Sequence, residues 1–211
     1  MIDILSTALV AVRTRCNLIS TAHKLPPEIL LFIFDLVRRE RVSEDQQDVV
    51  EFSAASIRSL IALTHVCHRW HTVALHSPTL WTGLVSRSRL AETFAQRAQE
   101  FPLSMTMTVI RGQVSKPEKQ LLWRLRPHLQ SLDLILDSLP HIRKNQISRY
   151  SLEEMTIVVR KKRMLPAFFQ TAFPLFGGRA PRLKSLSISS PDPLFPSDIF
   201  PELLALHLSG F

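Results

Sequence analysis

Leu25-Pro26-Pro27-Glu28-Ile29-Leu30-Leu31-Phe32-Ile33-Phe34, read together with Val66-Cys67-His68-Arg69-Trp70 and Leu80-Trp81, decides how the first half of this chain folds. Prolines at 26 and 27 suit a helix start, where a missing N–H costs no hydrogen bond. Glu28 then falls in the first turn, where a negative charge favours the helix dipole. Ile29, Phe32, Ile33 and Leu36 recur at i, i+3, i+4, i+7 and make one apolar stripe. Leu30, Leu31, Phe34 and Val37 make a second. A surface helix needs one stripe; two predict a helix enclosed on most sides, by this chain's own core or by a partner. In the second block, Leu60, Ile61, Leu63, Thr64, Val66 and Cys67 carry helical periodicity into Trp70, Val73 and Ala74. A single helix over 59–74 is expected, ended by Ser77-Pro78 ahead of Leu80-Trp81.

In this order the motifs Leu-Pro-x-Glu-Ile-Leu (25–30), Val-Cys-x-Arg-Trp (66–70) and Leu-Trp (80–81) resemble an F-box domain over residues 24–84. The forms Leu-Pro-Pro-Glu-Ile-Leu and Ser-Pro-x-Leu-Trp are similar to those of F-box proteins from mushroom-type fungi. One departure is the charged insert at 38–51, longer than the tight turn of a minimal F-box. The resemblance implies docking onto the Skp-type adaptor of a cullin–RING ubiquitin ligase. The residues it assigns to the motif's core and interface are Leu25, Pro26, Ile29, Leu30, Ile33, Val66, Trp70, Leu80 and Trp81. Which of them face inward and which face the partner stays open at this level.

A chain of 211 residues with 45% apolar side chains can fill a core in one or two domains. Its two cysteines, Cys16 and Cys67, make no disulfide framework, which fits a reducing, intracellular setting in cytoplasm or nucleus. Residues 1–12 are apolar but lack a basic leader and are too short to span a membrane. A short amphipathic helix packed on the following domain is expected there. Charge is uneven: residues 1–100 carry 11 Lys and Arg against 10 Asp and Glu, residues 101–211 carry 15 against 8. A basic half raises the alternative of a nucleic-acid or acidic partner. The densest run, Arg160-Lys161-Lys162-Arg163, has no interleaved aromatics to stack on bases, so a solvated loop is the better reading.

The second half repeats. Pro127-His128-Leu129-Gln130-Ser131-Leu132-Asp133-Leu134 returns as Pro181-Arg182-Leu183-Lys184-Ser185-Leu186-Ser187-Ile188 and as Pro201-Glu202-Leu203-Leu204-Ala205-Leu206-His207-Leu208. A weaker copy starts at Tyr150 and carries Leu152, Met155, Ile157 and Val159. The pattern Pro-x-Leu-x-x-Leu-x-Leu resembles an irregular leucine-rich repeat, a strand plus a helix or short turn per unit. The Asn or Cys usual after the strand is missing. A further strand is expected at 103–109, which alternates with period two. Helices are expected at 116–126, opened by a Ser115/Glu118 capping box, and at 165–176, with Phe168, Phe169, Phe173 and Phe176 behind the strands. Gly177-Gly178 reads as a helix-ending turn.

Stacked strands would bury one row of side chains and leave the other on a concave binding face. Its candidate residues are Asp133, Ile135, Asp137, Thr156, Val158, Arg160, Ser187, Ser189, His207 and Ser209. They name no ligand beyond an unknown protein substrate. No polar capping unit follows the last repeat before Phe211, so an exposed final strand, in a short or truncated product, is expected.

No Gly-rich phosphate loop, His-Glu-x-x-His or Gly-x-Ser-x-Gly occurs, so neither enzymatic activity nor a cofactor is expected. His65, Cys67, His68 and His71 cluster in sequence, but an exposed helix side is the better reading than a metal site. The expected fold class is α+β: a small all-α F-box helical domain (24–84) after an N-terminal helix or linker (1–23). A short, irregular leucine-rich-repeat α/β solenoid (85–211) follows. The expected partners are a Skp-type adaptor, a cullin through it, and a protein target, with no membrane and no nucleic acid. Two alternatives remain: an F-box protein without a ligase role, and binding of a nucleic acid or an acidic partner by the basic second half.

Overall fold

The computed structural model describes residues 2–39, 49–109, 114–136, 152–159, 182–190 and 199–210. Among the described residues, a helical unit leads into one open, six-stranded parallel sheet with strands in chain order, β1-β2-β3-β4-β5-β6.

Helix α1 (Ile2–Ile19) comes first, then a 3-10 turn (Thr21–Lys24) and α2 (Pro27–Arg39). The helix read over 59–74 is two helices. α3 (Val49–Thr64) begins inside the charged insert, and α4 (His68–Leu75) starts after a break at 65–67. Cys67 is extended there, with φ −160° and ψ 167°, and caps α4. The break has a local cause: Thr64 Oγ1 donates to the Ile61 carbonyl at 2.7 Å, while Val66 and Cys67 have weak helix propensity. Helices α2, α3 and α4 pack on one another, and a second 3-10 turn (Pro78–Trp81) closes the unit.

Strand β1 (Gly83–Val85) follows at once, then α5 (Ala91–Ala98) and β2 (Leu103–Val109). Helix α6 (Lys116–Leu125), β3 (Leu129–Leu136), β4 (Glu154–Val159), β5 (Ser185–Ser189) and β6 (Ala205–Ser209) complete the order. The expected strand at 103–109 is present as β2. The expected helix at 116–126 is α6, opened by the capping box: Ser115 Oγ accepts from Glu118 N at 3.4 Å, and Glu118 Oε2 accepts from Ser115 N at 3.0 Å. The expected helix at 165–176, its phenylalanines, the Gly177-Gly178 turn and the Arg160–163 run lie outside the described residues.

The repeat in the sequence is a register in space. Met105, Leu132, Met155, Leu186 and Leu206 are lateral neighbours across the strands, and so are Met107, Leu134, Ile157, Ile188 and Leu208. Leu84 extends the first row into β1. Successive side chains of a strand point to opposite faces, so these rows share one face. Its residues from Leu84 to Ile188 are buried in a single core with Leu30, Phe34, Leu60 and Trp81 of the helical unit. The sheet is not a separate body: β1 joins the helices directly, and α3 packs on β1 and β2.

One expectation fails outright. From Ile4 onward every side chain of α1 is exposed except Asn17, which is half-buried, so α1 does not pack on the helices that follow. Its exposed row includes Leu5, Leu9, Val12 and Ile19.

Candidate functional site

The two stripes of α2 have opposite fates. Leu30 and Phe34 are fully buried, and Phe34 meets the Trp70 ring at a tilt of 56° with centroids 5.2 Å apart. The other stripe faces outward: Ile29 is 46% exposed, Phe32 62% and Leu36 52%, with Ile33 half-buried among them. Pro26 is exposed at the start of the same helix, Leu25 is half-buried, and Val66 is exposed in the break between α3 and α4. Large side chains in a continuous row on one helix are the signature of an interaction surface rather than scattered surface apolarity.

The predicted motif residues therefore divide. Leu30, Leu80 and Trp81 are core; Leu25, Ile33 and Trp70 are intermediate; Pro26, Ile29 and Val66 are surface. Trp81 has no exposed area, donates from Nε1 to the Ala74 carbonyl at 2.9 Å and meets Phe94 edge-on at 4.8 Å. It is a structural joint. Phe32 and Leu36, which belong to the outward stripe but not to the motif set, stand on the surface beside Ile29. Their i+3 and i+7 spacing from Ile29 was the signal for them.

Arg69 carries a role that pattern reading missed. Its guanidinium donates to the carbonyls of His23 and Leu25, pinning the connection between α1 and α2 onto α4. Nothing in an apolar periodicity reports a bond from a side chain to backbone so far away in sequence.

The second candidate surface is the other face of the sheet. Thr106, Asp133, Thr156, Ser187 and His207 form one lateral row, and Thr108, Ile135, Val158, Ser189 and Ser209 the next. Thr106 Oγ1 donates to Asp133 Oδ2 at 3.4 Å. Burial pushes the Asp133 carboxyl above its ordinary range; hydrogen bonds from Thr156 and Thr106 pull it down, and the Glu154 charge pushes it up again. Ile135, expected on the open face, is 1% exposed, so the open part runs over β4 to β6. There Thr156, Val158, Ser187 and Ser189 are half-buried, and His207 and Ser209 exposed. Asp137 and Arg160 lie outside the described residues. At the sheet's end, Leu206 of the core row is still 51% exposed.

Between sheet and helices, Glu118 is 5% exposed and ties β1 to α6: Ser86 Oγ donates to its Oε1 at 2.9 Å, and Arg87 Nε at 3.3 Å. Burial raises this carboxyl, but the bonds from Ser115 and Ser86 and the Arg87 charge outweigh it and hold it below its ordinary value. Every bond here is satisfied within the chain, as in a structural brace. His71 Nδ1 lies 3.1 Å from the Thr64 carbonyl, and His65 and His68 are exposed. Among the described residues no three His, Cys, Asp or Glu side chains group to hold a metal ion, and no helix is long and apolar enough to cross a membrane.

No curated protein and no solved structure matches this chain. A family model described as F-box-like matches residues 22–87, which span the first 3-10 turn, α2, α3, α4, the second 3-10 turn and β1. Residues 22–87, the helical unit without α1 together with the first strand of the sheet, are an F-box-like domain.

Proposed function

We propose that this protein is the substrate-recognition adaptor of a cullin–RING ubiquitin ligase of the SCF type. The observation that carries the reading is the outward row Ile29, Phe32 and Leu36 on α2 of an F-box-like domain whose other row is committed to its own core. Helices of a Skp-type adaptor would complete that row, as two halves of one apolar core. The adaptor in turn would connect the chain to a cullin.

In this reading the sheet is an irregular leucine-rich-repeat array, and its open face over β4 to β6 receives a target protein. Repeat arrays use such extended faces for binding. The protein itself does no chemistry. It raises the concentration of a target beside the ubiquitin-charged enzyme, an effect set by geometry rather than by a reaction. The setting is intracellular, in cytoplasm or nucleus.

Co-expression of the full chain with a Skp-type adaptor tests the reading. The wild-type chain is expected to bring the adaptor through purification in fixed ratio. The variant Ile29→Asp/Phe32→Asp, which places charges on exposed positions, is expected to fold and to lose it. A wild-type chain that purifies folded and without adaptor would overturn the proposal.

A further inference from the structure

We propose that the solvent side of α6 docks an acidic segment of another protein, one rich in glutamate or aspartate. This surface lies outside residues 22–87 and does not depend on the adaptor reading. Glu118, Leu122 and Leu125 turn one side of α6 inward. On its outer side Lys116, Lys119, Trp123 and Arg126 follow one another at steps of 3, 4 and 3, neighbours along a flank about 15 Å long.

Two observations set this flank apart. The first is Trp123, which is 65% exposed. Its ring is held in place: the Arg126 guanidinium lies over it, 4.5 Å from the centroid. Tryptophan and arginine anchor protein interfaces, and a pair already ordered loses less freedom when a partner arrives. The second is unspent charge. Charges nearby are matched within the chain, Arg87 with Glu118 and Arg124 with Glu92. Among the described residues no carboxylate pairs with Lys116, Lys119 or Arg126. Lys116 even stands in the first turn, where the helix dipole disfavours a cation. The flank therefore presents three cations and no anion around one large apolar ring.

Charge complementarity selects the occupant. Carboxylates answer the three cations with charge-assisted hydrogen bonds, and an apolar side chain among them covers the exposed indole. A single-stranded nucleic acid fits less well. It needs successive aromatic faces for successive bases, and α6 offers one ring with a guanidinium already over it. A membrane surface also fits less well, because the exposed Gln120 and Arg124 beside Trp123 are polar and do not enter a bilayer. Contacts between exposed charges are screened, so the binding weakens as salt rises.

The test uses the full chain and a fluorescein-labelled peptide of glutamates with a central leucine, followed by fluorescence anisotropy at low salt. Saturable binding is expected. Lys119→Glu is expected to weaken it about tenfold or more, because a carboxylate then faces carboxylates. Arg182→Glu makes the same change of net charge at another exposed position and is expected to leave the affinity unchanged. Trp123→Ala removes no charge and is expected to weaken binding about tenfold as well, with circular dichroism showing each variant folded. Absence of saturable binding, an equal loss in Lys119→Glu and Arg182→Glu, or full affinity in Trp123→Ala would each overturn the proposal. So would tighter binding of a single-stranded RNA oligomer, or of phosphatidylserine vesicles, that is lost in the Lys119→Glu and Trp123→Ala variants.

Discussion

Trp81 is the residue on which the helical unit and the sheet are hinged together. It closes the second 3-10 turn, its indole N–H holds the end of α4, and its ring takes Phe94 of α5 edge-on and the Arg97 guanidinium at 4.4 Å. Truncation to alanine would leave a large void, with little freedom for three surrounding elements to collapse into it. Trp81→Ala is therefore expected to cost about 3–5 kcal/mol in chemical denaturation, as for other large core truncations. A loss under about 1 kcal/mol, the scale of a typical single substitution, would show that Trp81 is not a core residue. The motif Leu-Trp at 80–81 was legible in sequence. Its inward placement was not, because periodicity marks which residues share a face and not what the face meets. The neighbours Ile29 and Leu30 make the same point: one is half-exposed and the other fully buried.

At the scale of elements, the sheet was the most legible part, because a repeated Pro-x-Leu-x-x-Leu-x-Leu demands the same inward positions in every unit. Those positions are the lateral rows from Leu132 to Leu206 and from Leu134 to Leu208. The signal weakened where substitutions blurred it. Met105 and Met107 hold leucine places, and the three-residue β1 is too short to alternate visibly. The break between α3 and α4 was missed because apolar spacing ran on through Val66 while Thr64 and the extended Cys67 stopped the backbone.

The polar row of the same sheet carries a pH effect. Asp133 binds its proton more tightly in the folded chain than at the ordinary aspartate value of 3.8. Its contribution to stability is thus fully present below that value and lost as pH rises through the higher folded one. Asp133→Asn, which cannot ionise, is expected to melt above the wild type at neutral pH, with the gap closing as pH falls toward 3.8. A variant that melts below the wild type at neutral pH, with the difference shrinking in acid, would show instead that the Thr106 and Thr156 hydroxyls more than repay the burial of the charge.

On the scale of the whole molecule, the F-box-like domain and the sheet share one core and one strand. The sheet's open face is thereby held in a fixed relation to α2, as the proposed presentation of a target would require. The residues that would meet the adaptor are nevertheless free of that core: Phe32 can be cut back without opening a cavity. The measurement that bears most directly on the account is the affinity of the purified chain for a Skp-type adaptor, wild type against Phe32→Ala, with the melting temperature of each. A hot spot at Phe32 predicts a loss of about 2 kcal/mol or more, close to thirtyfold in Kd, with little change in melting and little response to salt. Equal affinity of the two proteins, or a loss accompanied by an equal loss of stability, would contradict the assignment of the outward row of α2 as the docking surface.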